Sequence, residues 1–183
     1  MKKILISLIL FLVLPNLANA KMTISSPDFK EGENISDLNV FDGFGCEGGN
    51  IFPKIDIKDI PKATKSLAIT IYDPDAPTGS GWWHWLVYNI PSSIISPDYA
   101  NAKIYKMKDF KEKSLFGKND YGTFGYGGPC PPKGHGNHRY VLTVHALKVP
   151  KLAVPPNASA AMIGYNINAN LIEKSSITSL YQR

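Results

Sequence analysis

Three stretches of the chain combine β-branched, aromatic and other apolar residues, and each is followed by a proline or by an Asp-Pro step. They are residues 67–72 (LAITIY), 82–90 (WWHWLVYNI) and 139–149 (RYVLTVHALKV). A proline or an Asp-Pro step at the end of such a stretch interrupts a hydrogen-bonded ladder. The nearly continuous apolar character is typical of strands that are buried on both faces. The pattern predicts three strands of an antiparallel sheet at the centre of the fold.

One helix is predicted near the end of the chain. Asn157 follows two prolines and is a suitable N-cap. Apolar residues then recur at helical spacing, and we expect this stripe to pack on a sheet as part of the core. The stripe consists of Ala158, Met162, Tyr165, Ala169 and Ile172. A short strand is predicted to follow, over residues 177–181.

The first twenty residues have the pattern of an export signal. Two lysines precede an apolar run over residues 4–14, and Ala-Asn-Ala at 18–20 is the small-x-small pattern before a signal-peptidase cut. The run of about eleven residues is shorter than the roughly 18–20 that a membrane-spanning helix needs. We expect cleavage between Ala20 and Lys21, a periplasmic or secreted location, and a single domain over residues 21–183. A retained membrane anchor is the alternative.

The charge balance does not indicate a nucleic-acid partner. The formal net charge is +5, and removal of the two signal-segment lysines leaves +3. The densest group of lysines, within residues 106–113, is interrupted by Asp109 and Glu112. Such mixed charge is typical of a solvated face rather than of a polyanion site.

The chain has two cysteines, Cys46 and Cys130. In an oxidising compartment an isolated pair usually forms a disulfide, and we predict one here. The alternative is that Cys130 is a free thiolate nucleophile, with His138 as its partner in a dyad.

Loops rich in glycine and proline cover residues 43–53, 73–81 and 121–138. Glycine permits positive φ and proline restricts φ, so these loops have defined shapes, and shaped loops on a sheet often carry binding sites. Four ionisable residues lie within or beside these loops. Asp73 and Asp75 follow the first predicted strand, His84 is near the start of the second, and His138 opens the third.

These residue types suit a phosphate-bearing ligand. An imidazolium donates well to a phosphate oxygen, and a carboxylate on its other nitrogen would orient it. The second carboxylate would receive the ammonium of a zwitterionic head group. Core histidines and turn-forming aspartates are the structural alternative, and a two-Asp, two-His metal centre or a weak hydrolase is the catalytic one. No G-x-S-x-G, H-E-x-x-H or paired C-x-x-C motif is present.

Two long motifs carry a family resemblance. D-P-D-A-P at 73–77 with W-x-H-W at 82–85, followed by G-x-C-P-P-K-G at 128–134 with H-R-Y at 138–140, resembles the phosphatidylethanolamine-binding protein family. The sequence is most similar to the bacterial Raf-kinase-inhibitor-like branch of that family.

The resemblance implies an antiparallel β-sandwich with one or two peripheral helices and an anion pocket at one end. It also implies a cis peptide bond in the loop over residues 73–81. That loop has no aromatic residue to close the pocket, and His135 is expected to point to solvent. The pocket would be lined by Asp73, Asp75, His84, His138, Tyr140 and the backbone from Gly128 to Pro131.

The sequence and the resemblance together predict an exported binding protein that captures a small phosphate-bearing ligand, such as a phospholipid head group. We expect no cofactor, no metal, no catalytic residue and no stable membrane insertion. The alternatives are a secreted inhibitor or interaction protein that acts on a protease or another protein, and a weak phosphoester hydrolase.

Overall fold

The computed structural model describes residues 20–110 and 114–183, so the predicted signal segment lies outside the described residues except for its last position. The described residues form ten strands, one α-helix and two short 3₁₀ turns (Ser92–Ile94 and Met107–Phe110). The strands and the helix are, in chain order, β1 (Thr23–Ser25), β2 (Asp42–Gly43), β3 (Cys46–Glu47), β4 (Ile55–Lys58), β5 (Ser66–Asp73), β6 (Trp82–Pro91), β7 (Asn101–Ile104), β8 (Leu115–Phe116), β9 (His138–Leu147), α1 (Ala160–Ala169) and β10 (Leu171–Tyr181).

Two antiparallel sheets face each other. The larger has five strands in the order β10-β9-β5-β6-β8, and the smaller has three in the order β1-β4-β7. β2 and β3 form a separate hairpin. The three strands predicted from the apolar stretches are confirmed as β5, β6 and β9, with ends within two residues of those expected. They are adjacent members of the larger sheet, which explains why both of their faces are apolar.

The main core lies between the two sheets. Ile69, Trp85 and Leu142 project from the larger sheet, and Ile55 and Ile57 from the smaller one; all five are almost completely buried. Each such side chain contributes about 1.5–3 kcal/mol through removal from water. The arrangement is the predicted β-sandwich.

The helix is present, but the predicted apolar stripe is wrong. The N-cap is Ser159, whose Oγ accepts the N–H of Met162 at 3.2 Å, and not Asn157. The stripe residues Met162 and Tyr165 are exposed by 46% and 73%, whereas Ile163 and Ile167 are buried.

The contacts of α1 with the larger sheet show which face of the helix is buried. A Cβ placed on Gly164 would lie 3.6 Å from the ring of Trp83, an ordinary van der Waals contact, so this part of the helix also lies against the sheet. Ile163 and Ile167 then pack with Leu86 and Leu147 in a second, smaller core. Helical periodicity alone did not distinguish this face from the other apolar face of the same helix.

The last strand is longer than predicted. β10 covers Leu171–Tyr181 and pairs with β9 along its whole length, from Leu171 opposite Leu147 to Tyr181 opposite His138. The apolar pattern was visible only over residues 177–181 because the first half of the strand is polar. No helix among the described residues is long and apolar enough to cross a bilayer.

Candidate functional site

The ends of four strands, β5, β6, β9 and β10, lie together at one end of the larger sheet. In the antiparallel register, Asp73 at the end of β5 is opposite Trp82 at the start of β6, and His138 at the start of β9 is opposite Tyr181 at the end of β10. Because β5 and β9 are neighbours, Asp73 and His138 meet although 65 positions separate them in the sequence. Residues that are far apart in the sequence, from the end of β5, the start of β6 and the start of β9, are therefore close together in the fold.

A cavity of about 410 Å³ opens at this end of the sheet. Its volume is within the range of about 300–1,000 Å³ that is typical of small-molecule sites. The residues that line it include Phe44, Asp73, Trp82, His84, Tyr121, Cys130, Pro131, His138, Tyr140 and Arg183. Of the predicted ligand-binding residues, Asp73, His84, Pro131, His138 and Tyr140 are at the cavity, whereas Asp75 and Gly128 do not line it.

Asp73 and His138 form a buried pair. Both are at most 2% exposed, and the Nδ1–H of His138 donates to Oδ2 of Asp73 at 2.7 Å. The other carboxylate oxygen accepts the backbone N–H groups of Asp75 at 2.7 Å and Ala76 at 3.1 Å. Three hydrogen bonds therefore fix the orientation of this carboxylate, and the carboxylate fixes the imidazole.

His135 does not simply point to solvent, in contrast to the expectation. Its side chain is exposed, but its Nδ1 lies 2.7 Å from Nε2 of His138. Gly134 and Gly136 adopt φ of +74° and +85°, values that favour glycine, and they let the loop turn back onto β9. Both ring nitrogens of His138 are therefore engaged, one by a carboxylate and one by a second imidazole.

His84 is held by backbone and not by the carboxylate that we expected. Its Nδ1 lies 2.7 Å from the carbonyl oxygen of Gly127 and 3.1 Å from that of Gly128. A carbonyl oxygen only accepts, so Nδ1 carries the proton. Burial lowers the pKa of His84 to about 4 and outweighs the opposing effect of the two carbonyls. At neutral pH the ring is therefore uncharged.

Asp75 has a different role from the one predicted. Arg139 donates to it from Nη2 at 2.7 Å and from Nε at 2.9 Å, and the backbone N–H of Arg139 adds a third bond at 2.9 Å. The hydrogen bond with the Arg139 side chain lowers the pKa of Asp75. Side chains alternate along β9, so Arg139 lies on the opposite side from His138, and Asp75 follows it away from the cavity.

The expected cis peptide bond in the loop over residues 73–81 is absent. Every peptide bond among the described residues is trans. The turn after β5 is instead formed by the Asp73 carboxylate, which accepts the N–H groups of the two residues that follow Pro74. This local capping bends the chain with trans peptides only.

An aromatic wall that the sequence did not predict closes one side of the cavity. Phe44, Trp82 and Tyr121 line it, and Tyr121 also stacks on Phe41 with ring centroids 4.0 Å apart. Phe44 is 71% exposed and has φ of +52°, which is uncommon for a non-glycine residue. Phe44 and Tyr121 come from the loops over residues 43–53 and 121–138, whose glycine content was the only available signal, and Trp82 is the first residue of β6.

Arg183 is the second group that the sequence did not predict at the site. Its guanidinium lines the cavity and donates to the carbonyl oxygens of Pro131 at 2.5 Å, Gly45 at 2.9 Å and Phe44 at 3.3 Å. It therefore joins the β2–β3 hairpin to the loop that precedes β9. It also places a permanent positive charge on the cavity wall.

The predicted disulfide is present. Cys46 and Cys130 are bonded with an S–S distance of 2.13 Å, and the described residues contain no free cysteine. The alternative of a Cys130 thiolate with His138 as its base is therefore contradicted. The disulfide joins the β2–β3 hairpin to the loop that precedes β9, as Arg183 does. A covalent bond and a set of hydrogen bonds therefore both hold this wall of the cavity in place.

Two hydrogen-bond donors at the cavity have no acceptor within the part of the chain that the structure describes. The Tyr140 hydroxyl and Trp82 Nε1 are buried, and neither has a hydrogen-bond partner among the described residues. Burial raises the pKa of Tyr140, so its hydroxyl keeps its proton. A buried donor without an acceptor costs about 1–3 kcal/mol, which a bound acceptor would offset.

A metal centre of two aspartates and two histidines is not formed. No group of three or more His, Cys, Asp or Glu side chains within 20–110 and 114–183 has an arrangement that could hold a metal ion. Asp75 is engaged by Arg139, which removes one of the four ligands that this alternative required.

A β-sandwich whose strand ends surround a concave site with a few convergent polar groups has the architecture that is typical of ligand-binding proteins. The chain belongs to the phosphatidylethanolamine-binding protein family, whose model matches residues 25–182. It is 42% identical to the UPF0098 protein YbcL of Escherichia coli K12 over 184 residues, which covers 100% of this chain and 99% of that protein. It is 41% identical to the UPF0098 protein YbhB of the same organism over 161 residues, which covers 87% and 99%.

Solved structures agree with this membership. The crystal structure of E. coli YbcL, described as a new member of the mammalian PEBP family, superposes with a TM-score of 0.79 and 43% identity, covering 90% of this chain and 99% of that chain. A carboxypeptidase Y inhibitor complexed with its cognate proteinase shares the fold at a TM-score of 0.52 and 14% identity, covering 89% and 84%. The family is not recognised as enzymatic, and its members bind ligands and proteins in general.

Proposed function

We propose that this protein is an exported binding protein that holds a small phosphate-bearing ligand, such as a phospholipid head group, in the cavity at the ends of β5, β6 and β9. The observation that carries the proposal is that the wall of this cavity combines the Arg183 guanidinium with two buried donors, the Tyr140 hydroxyl and Trp82 Nε1, which have no acceptor among the described residues. Phosphate oxygens are strong acceptors of such hydrogen bonds.

The charges at the cavity support an anionic ligand. Arg183 contributes a permanent positive charge, and three of its five N–H donors are used by carbonyl oxygens. The negative charge of Asp73 is directed at the His138 ring and at two backbone N–H groups. An anion at the cavity therefore meets unpaired donors and a cation, while the carboxylate is already satisfied.

The side chains at the cavity support binding rather than turnover. Cys130 is in a disulfide, and the Thr78 hydroxyl donates to the carbonyl oxygen of Gly81 at 2.5 Å. Neither is hydrogen bonded to a general base, which nucleophilic catalysis requires. Neither Cys130 nor Thr78 is therefore an activated nucleophile in this structure.

The direct test is isothermal titration of the purified mature chain with phosphoethanolamine. We expect saturable binding by the wild type and loss of that binding in a His84→Ala/His138→Ala double variant. Equal and negligible heat from both proteins would refute the proposal.

A single-atom change tests the donor that carries the proposal. Tyr140→Phe is expected to weaken phosphoethanolamine binding about fivefold to tenfold, the effect of losing one hydrogen bond of about 1–1.5 kcal/mol. The same change should leave the free energy of unfolding unchanged or raise it, because it removes a buried hydroxyl that has no partner among the described residues.

Tyr126→Phe is the matched control for that prediction. The Tyr126 hydroxyl donates to the carbonyl oxygen of Asn39 at 2.6 Å, and Tyr126 does not line the cavity. This variant should lose about 1 kcal/mol of stability and keep its affinity. Unchanged affinity in Tyr140→Phe, measured by the same titration, would show that the hydroxyl does not contact the ligand.

Phe44 favours a second candidate function, that of an interaction protein. The ring is 71% exposed at the cavity rim and is held at positive φ, an arrangement that often marks a contact site. A protein complex that is isolated with the wild type, survives Tyr140→Phe and is lost in Phe44→Ser would favour this function over small-ligand binding.

A further inference from the structure

The hydrogen bonds of His84 determine which of its nitrogens can accept. Nδ1–H donates to the carbonyl oxygens of Gly127 and Gly128, so the neutral ring has its lone pair on Nε2. Nε2 makes no hydrogen bond with any described residue. Because His84 lines the cavity, Nε2 is the atom that this residue presents to a ligand.

The surroundings of His84 favour the neutral ring. The side chain is 2% exposed, and no carboxylate is hydrogen bonded to it. Burial outweighs the attraction of the nearby carboxylates and lowers the pKa of the ring. The titratable and charged groups around it are Asp73 from β5, Asp120 and Tyr121 from the loop after β8, Tyr140 and His138 from β9, and Arg183.

The cavity therefore combines donors with the lone pair of His84 Nε2. Tyr140, Trp82 and Arg183 offer hydrogens, whereas Nε2 of His84 offers a lone pair. A fully ionised anion matches the donors but places an oxygen lone pair against that of Nε2. An anion that still carries one proton matches both kinds of group.

We infer that His84 makes this pocket selective for a phosphate group that carries a proton, namely a singly ionised phosphate monoester or dihydrogen phosphate, over phosphodiesters and sulfate. This inference rests on the proposed function and specifies its ligand. The P–O–H donates to Nε2 of His84, and the other oxygens accept from the donors. A diester and sulfate have no such proton at neutral pH, so a head group in an intact phospholipid fits less well than the released monoester.

The test compares four ligands with the intact mature protein at pH 6 and constant ionic strength. Isothermal titration with phosphoethanolamine, glycerophosphoethanolamine, inorganic phosphate and sodium sulfate separates the monoester, the diester with the same amine, and two tetrahedral anions. We expect the two ligands that can carry a proton to bind at least about tenfold more tightly than the other two, the effect of one unmatched buried acceptor.

The pH dependence gives a second measurement on the same protein. A phosphate monoester has a second pKa of about 6, so its affinity should fall about tenfold per pH unit above pH 7. In ¹⁵N-edited spectra, His84 should keep the neutral form with the proton on Nδ1 when phosphoethanolamine is bound. Appearance of an imidazolium on binding would overturn the inference, since the ring would then act as a donor.

A variant isolates the contribution of His84. In His84→Gln the terminal amide can turn its NH₂ toward the ligand, so discrimination between monoester and diester should shrink to less than about threefold. Wild-type affinities for sulfate or the diester within about threefold of the monoester would overturn the inference and leave the proposed function standing. Absence of binding by all four ligands would overturn both.

Discussion

Reduction of the Cys46–Cys130 disulfide is expected to lower the free energy of unfolding by about 4 kcal/mol, because the bond restricts the unfolded chain over a long loop. The two cysteines are 84 positions apart in the sequence. Cys46 lies in the short hairpin strand β3 and Cys130 in the loop before β9, so neither sheet of the sandwich depends on the bond. The loss should therefore appear as lower stability of an otherwise native fold.

Urea denaturation at pH 7 with and without reductant measures this effect. A Cys46→Ser/Cys130→Ser double variant is the control, and it should match the reduced wild type in midpoint. Far-ultraviolet circular dichroism should stay unchanged, since Arg183 still bonds to carbonyl groups on both sides of the former disulfide. A decrease below about 1 kcal/mol would contradict the chain-entropy argument.

Acidification from pH 7 to pH 4 is expected to destabilise the protein by up to about 6 kcal/mol, or about 3 kcal/mol for each of two buried histidines. Burial lowers the pKa of His84 and of His145 from 6.5 to about 4 in the folded protein. In the unfolded chain both rings take up protons near pH 6.5, while in the folded protein they stay neutral. Their contribution is complete above pH 6.5 and is lost as the pH falls from about 6.5 to about 4.

The environment of His145 explains why protonation is unfavourable there. Its Nε2 lies 3.0 Å from the Thr70 hydroxyl, and its buried Nδ1 has no hydrogen-bond partner among the described residues. Burial is the main cause of the lowered pKa, and the charge of Lys174 adds to it. A proton on this ring would introduce a buried charge without a counter-ion in contact.

Urea midpoints at constant ionic strength, taken at half-unit steps from pH 7 to pH 3, test this prediction. His145→Gln should remove about half of the loss between pH 6.5 and pH 4. Asp75, Asp98 and Asp109 have lowered pKa values, so their contribution is lost only below about pH 4, in a separate range. If the free energy of unfolding stays constant from pH 6.5 to pH 4.5, burial in the folded protein does not keep either histidine neutral, and the prediction is wrong.

The sequence by itself determined the central strands and the positions of the main site residues. The apolar stretches that form β5, β6 and β9 each end near a proline. A continuous apolar run with such an end is a local signal, and it was sufficient to predict these buried strands. The cysteine pair and the Asp73, His84 and His138 positions were also visible, since they lie in long motifs at strand ends. These features can be predicted because they are encoded by short segments of the chain.

Tertiary structure alone decided the contacts that give those residues their chemistry. Burial keeps His84 neutral, and two carbonyl oxygens more than forty positions away hold its proton on Nδ1. Carbonyl groups have no signature in a sequence. Asp75 is hydrogen bonded to Arg139, and His135 to His138. Arg183 lies at the cavity, where it donates to the carbonyl oxygen of Pro131. Each of these is a long-range or loop contact. The buried face of α1 was likewise decided by its packing on the larger sheet, because two apolar faces of one helix have the same periodicity.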